Sequence, residues 1–229
     1  MARPQPPPGQ VAASVAPGVE SAMPQGFLFG GYVVFWSAMA IAPLDRQNWA
    51  LSSILPLALV AALVLGRRAL PLSTASYALM IGFLALHTIG AHYTYSRVPM
   101  GLWLQHALQL QRNHFDRITH VAFGLLFTYP LFEAFRLLLK DVSRLLAYYV
   151  TLMTQLGLAA VWEMIEAAVA QLTHPELGAA FVGSQGDLWD AQHDMLAATC
   201  GTVIALLLIA TWLRWADGAP IRAAAAERG

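Results

Sequence analysis

Charged residues are scarce in this sequence. Lys, Arg, Asp and Glu make up 11% of the 229 residues, whereas hydrophobic residues make up 58%. A soluble domain usually carries about 25% charged residues, so this chain has too little polar surface to face water on all sides. The formal net charge is zero, which argues against nucleic acid as a partner because phosphates call for a basic surface. The composition therefore predicts an integral membrane protein whose main partner is the lipid bilayer.

Cysteine is almost absent as well. Cys200 is the single cysteine and lies in an apolar run, so an intrachain disulfide is excluded and the compartment cannot be deduced from cysteine content. The first 25 residues lack the charged start and compact apolar core of a signal peptide. Because they are rich in Pro, Ala and Gly, we expect a disordered tail over 1–25, followed by a single transmembrane helical domain over 26–215 and a short C-terminal tail over 216–229.

Long apolar runs fill the central part of the chain. A bilayer core of about 30 Å needs roughly 20 apolar residues per helix. Six stretches qualify, near 27–43, 49–66, 73–92, 118–139, 145–170 and 194–213. We therefore expect an all-α polytopic bundle of about six transmembrane helices. The partly apolar segment 93–117 is expected to lie along the membrane interface as a short helix, with Trp103 as an anchor.

The distribution of positive residues predicts the orientation of this bundle. Cytoplasmic loops carry an excess of Lys and Arg. The connections between the predicted helices alternate between the two sides of the membrane, and one side has nine such residues whereas the other has four. The nine are Arg3, Arg67, Arg68, Arg136, Lys140, Arg144, Arg214, Arg222 and Arg228. The four are Arg46, Arg97, Arg112 and Arg117. Both termini are thus predicted to be cytoplasmic, and the polar stretch 183–195, GSQGDLWDAQHDM, is predicted to lie outside.

This orientation brings ionisable residues from several helices to the outer face. Asp116 and His120 are four residues apart, and Glu163 and Glu166 are three apart, so each pair shares one face of its helix. Imidazole suits zinc, iron or copper, and carboxylate suits harder ions such as magnesium or manganese. Mixed ligation with an open position can activate water for hydrolysis. The candidate ligands of a divalent metal ion are His92, Asp116, His120, Glu163 and Asp194, and the candidate catalytic residues are Glu163, Glu166, Asp187 and Asp190.

The acidic candidates also have structural interpretations. Glu163 and Glu166 could pair with Arg112 and Arg117 at the outer rim. Asp187 could form a turn or cap a helix, and Asp190 could cap the helix that contains Asp194. These alternatives stay open at the level of the sequence.

Three other polar residues have interpretations of their own. His92 is equally compatible with metal ligation and with a structural polar contact. For His87, a packing histidine bonded to a backbone carbonyl is favoured over a ligand. Glu133 belongs to the opposite half of its helix, where Arg136 three residues later is expected to neutralise it, so we leave it out of the site.

Four motifs in order, GAHYTYSRVP, RNHFDRITH, WEMIE and QGDLWDAQHDM, resemble those of the YjdF-like family of bacterial inner membrane proteins. The resemblance spans roughly residues 27–213. It implies a multi-helix inner membrane protein, but the family is a domain of unknown function and supplies no reaction. A more distant likeness to VanZ-like membrane proteins implies a role in the cell envelope. Thr199 stands where that family's pattern has Asn, which weakens the likeness.

Three functions remain possible from the sequence. The first is a membrane enzyme with an outward-facing site, a divalent metal or shared proton, and a lipid or lipid-linked envelope substrate. The second is a proton- or cation-coupled transporter that uses the same carboxylates. The third is a structural protein whose polar cluster only holds the helices together. The first is favoured because titratable groups converge at one depth, whereas the other half of the bundle has few polar residues.

Overall fold

A computed structural model of the protein describes residues 25–139 and 141–226, with side chains up to residue 217. The described part is helical and contains no strand. Its helices are α1 (Gln25–Met39), α2 (Arg46–Ser52), α3 (Ile54–Gly66), α4 (Thr74–His92), α5 (Pro99–Ala107), α6 (Phe115–Leu138), α7 (Arg144–Leu172), α8 (Pro175–Val182) and α9 (Asp190–Ala226). The tail predicted over 1–25 lies outside the described residues except for Gln25, which begins α1. The C-terminal tail predicted from residue 216 is helical as far as Ala226.

Five stretches of these helices are long and apolar enough to cross a membrane. They are α2 and α3 taken together over Arg46–Gly66, then α4, α6, α7, and α9 as far as Asp217. The remaining predicted span, 27–43, coincides with α1, which has 15 residues. The all-α membrane bundle predicted from the apolar runs is therefore confirmed, with five candidate spans among the described residues.

Helix α1 lies alongside α4 and runs in the same direction. The Phe29 ring packs edge-on against Tyr77 near the start of α4, with centroids 5.6 Å apart. At the other end of α4, Nδ1 of His92 lies 2.8 Å from the carbonyl oxygen of Met39, the last residue of α1. The two helices thus lie side by side over a depth of about 15 Å, the rise from Phe29 to Met39 on α1.

The closest helix crossing joins α6 and α9. A Cβ atom added to Gly124 of α6 would collide with the carbonyl oxygen of Ala198 on α9, and one added to Gly201 of α9 would collide with the carbonyl oxygen of Val121 on α6. Small residues commonly allow such close backbone packing between membrane helices. This crossing fixes the position of the first turns of α6 relative to those of α9, where the candidate site residues lie.

At the end of the bundle away from residues 183–195, Glu133 has a role that the sequence did not predict. Its carboxylate accepts hydrogen bonds from the backbone N–H of Ser73 at 3.0 Å and from the hydroxyl of Ser76 at 2.5 Å. Arg136 instead donates to the carbonyl oxygen of Val142 at 3.1 Å. The expected neutralisation of Glu133 by Arg136 is wrong, because the unsatisfied donors at the start of α4 supply a closer and electrostatically favourable partner.

Replacing Gly201 with Leu is expected to destabilise the bundle. The new side chain meets the backbone of α6, which cannot yield as a side chain does, so the free energy of unfolding should fall by at least about 1–3 kcal/mol. Gly157→Leu on α7 is the matched control, because a Cβ there has no neighbour within 4 Å. Thermal unfolding in detergent measures both variants. Equal midpoints would show that the α6–α9 crossing tolerates separation.

Candidate functional site

Asn113 holds together the loops that surround the candidate site. Its side-chain amide donates to the carbonyl oxygens of Ser96 and Val98, both at 3.1 Å, and its Oδ1 accepts from the N–H of Phe115 at 2.9 Å. Its backbone N–H and carbonyl form a reciprocal pair with the side chain of Gln185, at 3.0 and 2.9 Å. Asn113 therefore positions the start of α6 against the connection between α8 and α9. Sequence reasoning missed it, although an Asn just before a helix is a typical cap or turn signal.

The part of the site nearest the end of the bundle, called the outer layer below, is a network of ion pairs formed by Arg112 and Arg117 with Asp187, Asp190 and Asp194. Arg112 Nη1 lies 2.8 Å from Asp190 Oδ1 and 3.4 Å from Asp187 Oδ2. Arg117 Nη2 lies 2.6 Å and 2.9 Å from the same two oxygens, and Arg117 Nη1 pairs with Asp194 Oδ2. The network ties the first turn of α6 to the first turns of α9. Since both arginines bind these aspartates, the alternative in which they pair with the glutamates of α7 is wrong.

Asp187 serves both as a turn former and as an ion-pair partner. Its Oδ1 accepts from the backbone N–H of Trp189 at 2.9 Å, and its Oδ2 lies 2.8 Å from Nδ1 of His193. The Trp189 N–H, followed by the His193 ring, lowers the pKa of Asp187 to about 2. The carboxylate is therefore ionised at neutral pH, as its contact with Arg117 requires.

Beneath this layer, three side chains from two helices converge. Asp116, His120 and Asp194 are all buried, and each offers one ligand atom within 4.8 Å of the other two. His120 Nε2 lies 3.7 Å from Asp116 Oδ1, 3.7 Å from Asp194 Oδ1 and 3.8 Å from Glu163 Oε1 on α7. These separations exceed those of hydrogen bonds. The carboxylates thus surround one imidazole nitrogen without bonding to it.

Several oxygens at this point of convergence have no partner. Asp116 Oδ2, Glu163 Oε1 and Asp194 Oδ1 are buried and accept no hydrogen bond from the described residues. A buried carboxylate oxygen without a donor carries a large desolvation cost. The arrangement therefore calls for a cation, a proton or an ordered water among these three residues.

Glu166 and His92, the other two sequence candidates, are not among the three residues whose ligand atoms converge. Glu166 is buried and accepts a hydrogen bond from the indole N–H of Trp162 at 2.8 Å. His92 is bonded to the carbonyl of Met39 and does not belong to the group whose ligand atoms converge. The structure thus gives His92 the structural polar contact that was its alternative interpretation.

His87 supplies the hydrogen-bond donor that a backbone carbonyl between α2 and α3 lacks. Pro56 has no N–H to bond the carbonyl of Ser52 four residues earlier, and Nε2 of His87 lies 2.9 Å from that oxygen. On the other side of the ring, the Tyr95 hydroxyl lies 2.5 Å from Nδ1. Burial, followed by the charge of Asp116, raises the pKa of Tyr95 well above its usual value, so the hydroxyl keeps its proton and donates to His87. The expected packing role of His87 is confirmed.

A cavity of about 470 Å³ leads away from the converging side chains. Asp116, His120 and Glu166 line one end, and the rings of Phe83, Phe123 and Phe127 line the other. Asp116 and Phe127 are separated by about 16 Å along α6. A larger and shallower groove of about 920 Å³ lies between α2–α3 and α7–α8. None of the candidate ligands lines that groove, so the cavity of about 470 Å³ is the one that bears on the site.

A multi-pass membrane bundle with a buried Asp–His cluster at one end is thus the class of protein that the fold and the site define. Residues 24–215 match the family model described as a predicted membrane protein (DUF2238), and the chain belongs to this family. It is also 31% identical over 170 residues to the inner membrane protein YjdF of Escherichia coli K12, covering 72% of this chain and 79% of that protein. No solved structure matches the chain.

These matches bear out the family resemblance drawn from the four motifs. The match to the family model extends from residue 24 to residue 215, so it includes the whole bundle and the site. Together with the long apolar helices, it identifies the protein as a multi-pass protein of the inner membrane. The matched descriptions name no reaction.

Replacing Arg117 with Leu is expected to be strongly destabilising. It leaves Asp194 without its arginine partner, whereas Asp190 keeps its ion pair with Arg112, and breaking a buried pair costs about 3–5 kcal/mol. Arg97→Leu, an exposed arginine in the same part of the chain, is the control. The double variant Arg117→Leu/Asp194→Leu should recover part of the loss, because the orphaned charge is removed. Thermal unfolding of the four proteins in detergent is the measurement, and an undiminished midpoint for Arg117→Leu would contradict the structural role of the network.

Proposed function

We propose that this protein is a metal-dependent membrane enzyme, in which Asp116, His120 and Asp194 bind a divalent cation and the substrate is a lipid or lipid-linked envelope component. The observation that carries the proposal is the convergence of three buried ligand atoms within 4.8 Å of one another. Buried carboxylate oxygens without partners in the described residues lie at the same point. A bound cation would satisfy all of them.

The spacing of these atoms is compatible with a small metal ion. Two ligands at about 2.1 Å from one zinc ion can be at most about 4.2 Å apart, so small side-chain rotations suffice to close the group. Two carboxylates and one imidazole leave a coordination position open for water or substrate, as catalytic sites require. This donor set suits zinc, iron or manganese, and we commit to a divalent ion of that class.

The reaction that suits this arrangement is hydrolysis of an ester or phosphoester bond in the substrate's polar part. Glu163 has an unpartnered oxygen 3.8 Å from His120 Nε2 and is the candidate general base. It takes a proton from the attacking water as the water oxygen bonds to the carbonyl carbon or phosphorus. The ester bond then breaks, and the proton passes from Glu163 to the departing alcohol. Glu166, bonded to Trp162, contributes a polar wall beside the reacting group.

Asp187 and Asp190 have a different part in this proposal from the one expected of catalytic residues. Both bind Arg112 and Arg117 in the outer layer. Through Arg117 they hold Asp194 in place, so we assign them as positioning residues. Their ion pairs engage Asp187 Oδ2 and Asp190 Oδ1, which are therefore not free to bind a substrate or metal.

The transporter and structural alternatives receive less support. A transport pathway needs a polar route to the far side, but the cavity ends at Phe127, against a cluster of buried apolar residues that includes Leu72, Tyr77 and Met80. A purely structural cluster would be expected to satisfy its own acceptors, and the unpartnered oxygens of Asp116, Glu163 and Asp194 do not fit that role.

Metal analysis of the purified full-length chain tests the proposal. After incubation with zinc or manganese and desalting, the wild-type protein should retain a stoichiometric amount of metal. Asp194→Asn and His120→Gln should each weaken binding by at least about 10–100-fold, since even partners of metal ligands have effects of that size. Glu176→Gln, which alters an exposed acid at the same end of the bundle, should bind as the wild type does. If the wild-type protein retains neither metal, the proposal is wrong.

We also propose that the bundle crosses the membrane six times, with both termini in the cytoplasm and the site facing outward. The count of positive residues favours this orientation. The path of α1 beside α4, from the Phe29–Tyr77 contact to the bond between Met39 and His92, supports a sixth crossing. Its 15 residues extend over about 22 Å, so this crossing requires local thinning of the bilayer or a contribution from the residues at its ends.

Cysteine accessibility in intact cells tests this topology. In a Cys200→Ala background, Ser184→Cys should react with a membrane-impermeant maleimide added outside, because residue 184 lies beside the site. Arg68→Cys, in the connection between α3 and α4, should react only after the cells are opened. Labelling in the reverse order would place the site in the cytoplasm.

A further inference from the structure

One face of α3 forms a wall of the cavity that begins at the site. Leu55, Ala58, Leu59 and Ala62 all line it, and their spacing of three, four and seven residues puts them on one side of the helix. The two alanines are exposed and leave room where larger side chains would fill the space.

The cavity opens sideways between α3 and α7. Leu55 on α3 and Leu158 and Val161 on α7 line it and are nevertheless 42%, 41% and 46% exposed. A residue that is both exposed and cavity-lining lies at the rim of an opening. Both helices belong to candidate membrane spans, so this opening faces the hydrocarbon core of the bilayer, where the surrounding molecules are lipid acyl chains.

The far end of the cavity is closed by aromatic rings. Phe83 packs on Phe123 and Phe127 with centroid separations of 5.4 and 5.1 Å, and Phe123 packs on Phe127 at 5.1 Å. Three rings in mutual contact make a firm floor. The cavity volume of about 470 Å³ lies within the range of about 300–1,000 Å³ that is typical of small-molecule sites.

We propose that this cavity binds one acyl chain of a phospholipid, which enters sideways between α3 and α7 and ends against the floor formed by Phe83, Phe123 and Phe127. The headgroup then lies beside Asp116, His120 and Asp194. The position of the headgroup rests on the proposed function, because a phosphate would be repelled by these carboxylates without the cation. The binding of the chain depends only on the cavity. The floor limits the length of chain that fits.

Binding of lysophosphatidylglycerol to the purified full-length protein tests the acyl-chain site. Octanoyl and palmitoyl forms are compared by native mass spectrometry after exchange into a short-tailed detergent. Ala62→Phe fills the cavity from α3 and should weaken binding of the palmitoyl form by about ten-fold or more, since several methylene groups lose their apolar contacts. The octanoyl form should be affected much less. The matched control is Ala61→Phe, at an exposed position on the same helix outside the cavity lining, and it should bind both forms as the wild type does.

Two further variants separate this proposal from the proposed enzyme. Asp194→Asn should abolish metal retention while the palmitoyl chain still protects the protein from thermal unfolding. Ala62→Phe should retain the metal and lose that protection. Phe127→Ala, which removes part of the floor, should improve binding of a longer stearoyl chain relative to the palmitoyl chain. If Ala62→Phe and Ala61→Phe bind palmitoyl lysophosphatidylglycerol equally well, the acyl-chain site is overturned, whatever the metal analysis finds.

Discussion

The close contact between the backbones of α6 and α9 at Gly124 and Gly201 is the constraint on which the site depends. From this crossing, α6 leads back to His120 and Asp116, and α9 leads back to Asp194. Each lies within about two to three turns of the crossing, so their relative positions follow from rigid helix geometry. Gly124 and Gly201, which have no side chain beyond a hydrogen atom, therefore determine how closely Asp116 and His120 approach Asp194.

The acidic groups at the end of the bundle form two layers, one in which the carboxylates are paired with arginines and one in which carboxylate oxygens lack a partner. In the outer layer, Arg112 and Arg117 neutralise Asp187 and Asp190, and they hold the loop and the start of α9 in place. In the inner layer, Asp116 and Glu163 retain oxygens without donors among the described residues. Buried charge is normally paired. The division therefore separates groups that stabilise the fold from groups that remain available for chemistry.

Much of this arrangement could be predicted from residue patterns. The apolar runs predicted the helices, because length and hydropathy nearly determine membrane spans, and the four-residue spacing of Asp116 and His120 placed both on the face that meets α9. The partners of Arg117 could not be predicted, since they depend on how the connection after α8 folds back through Asn113 and Gln185. The capping of α4 by Glu133 was missed for the same reason, because it joins residues 60 positions apart.

The bond between His87 and the carbonyl of Ser52 has a consequence for how α3 is held. Pro56 deprives that carbonyl of its own helix donor, and a ring from α4 supplies the replacement. A proline in one transmembrane segment thus leaves a backbone carbonyl to which a side chain of another segment binds. The face of α3 that carries Ala58 and Ala62 is held to α4 at this end of the helix. An N–H restored at position 56 would give that carbonyl a donor from its own helix, so the helix would no longer depend on the imidazole to satisfy it.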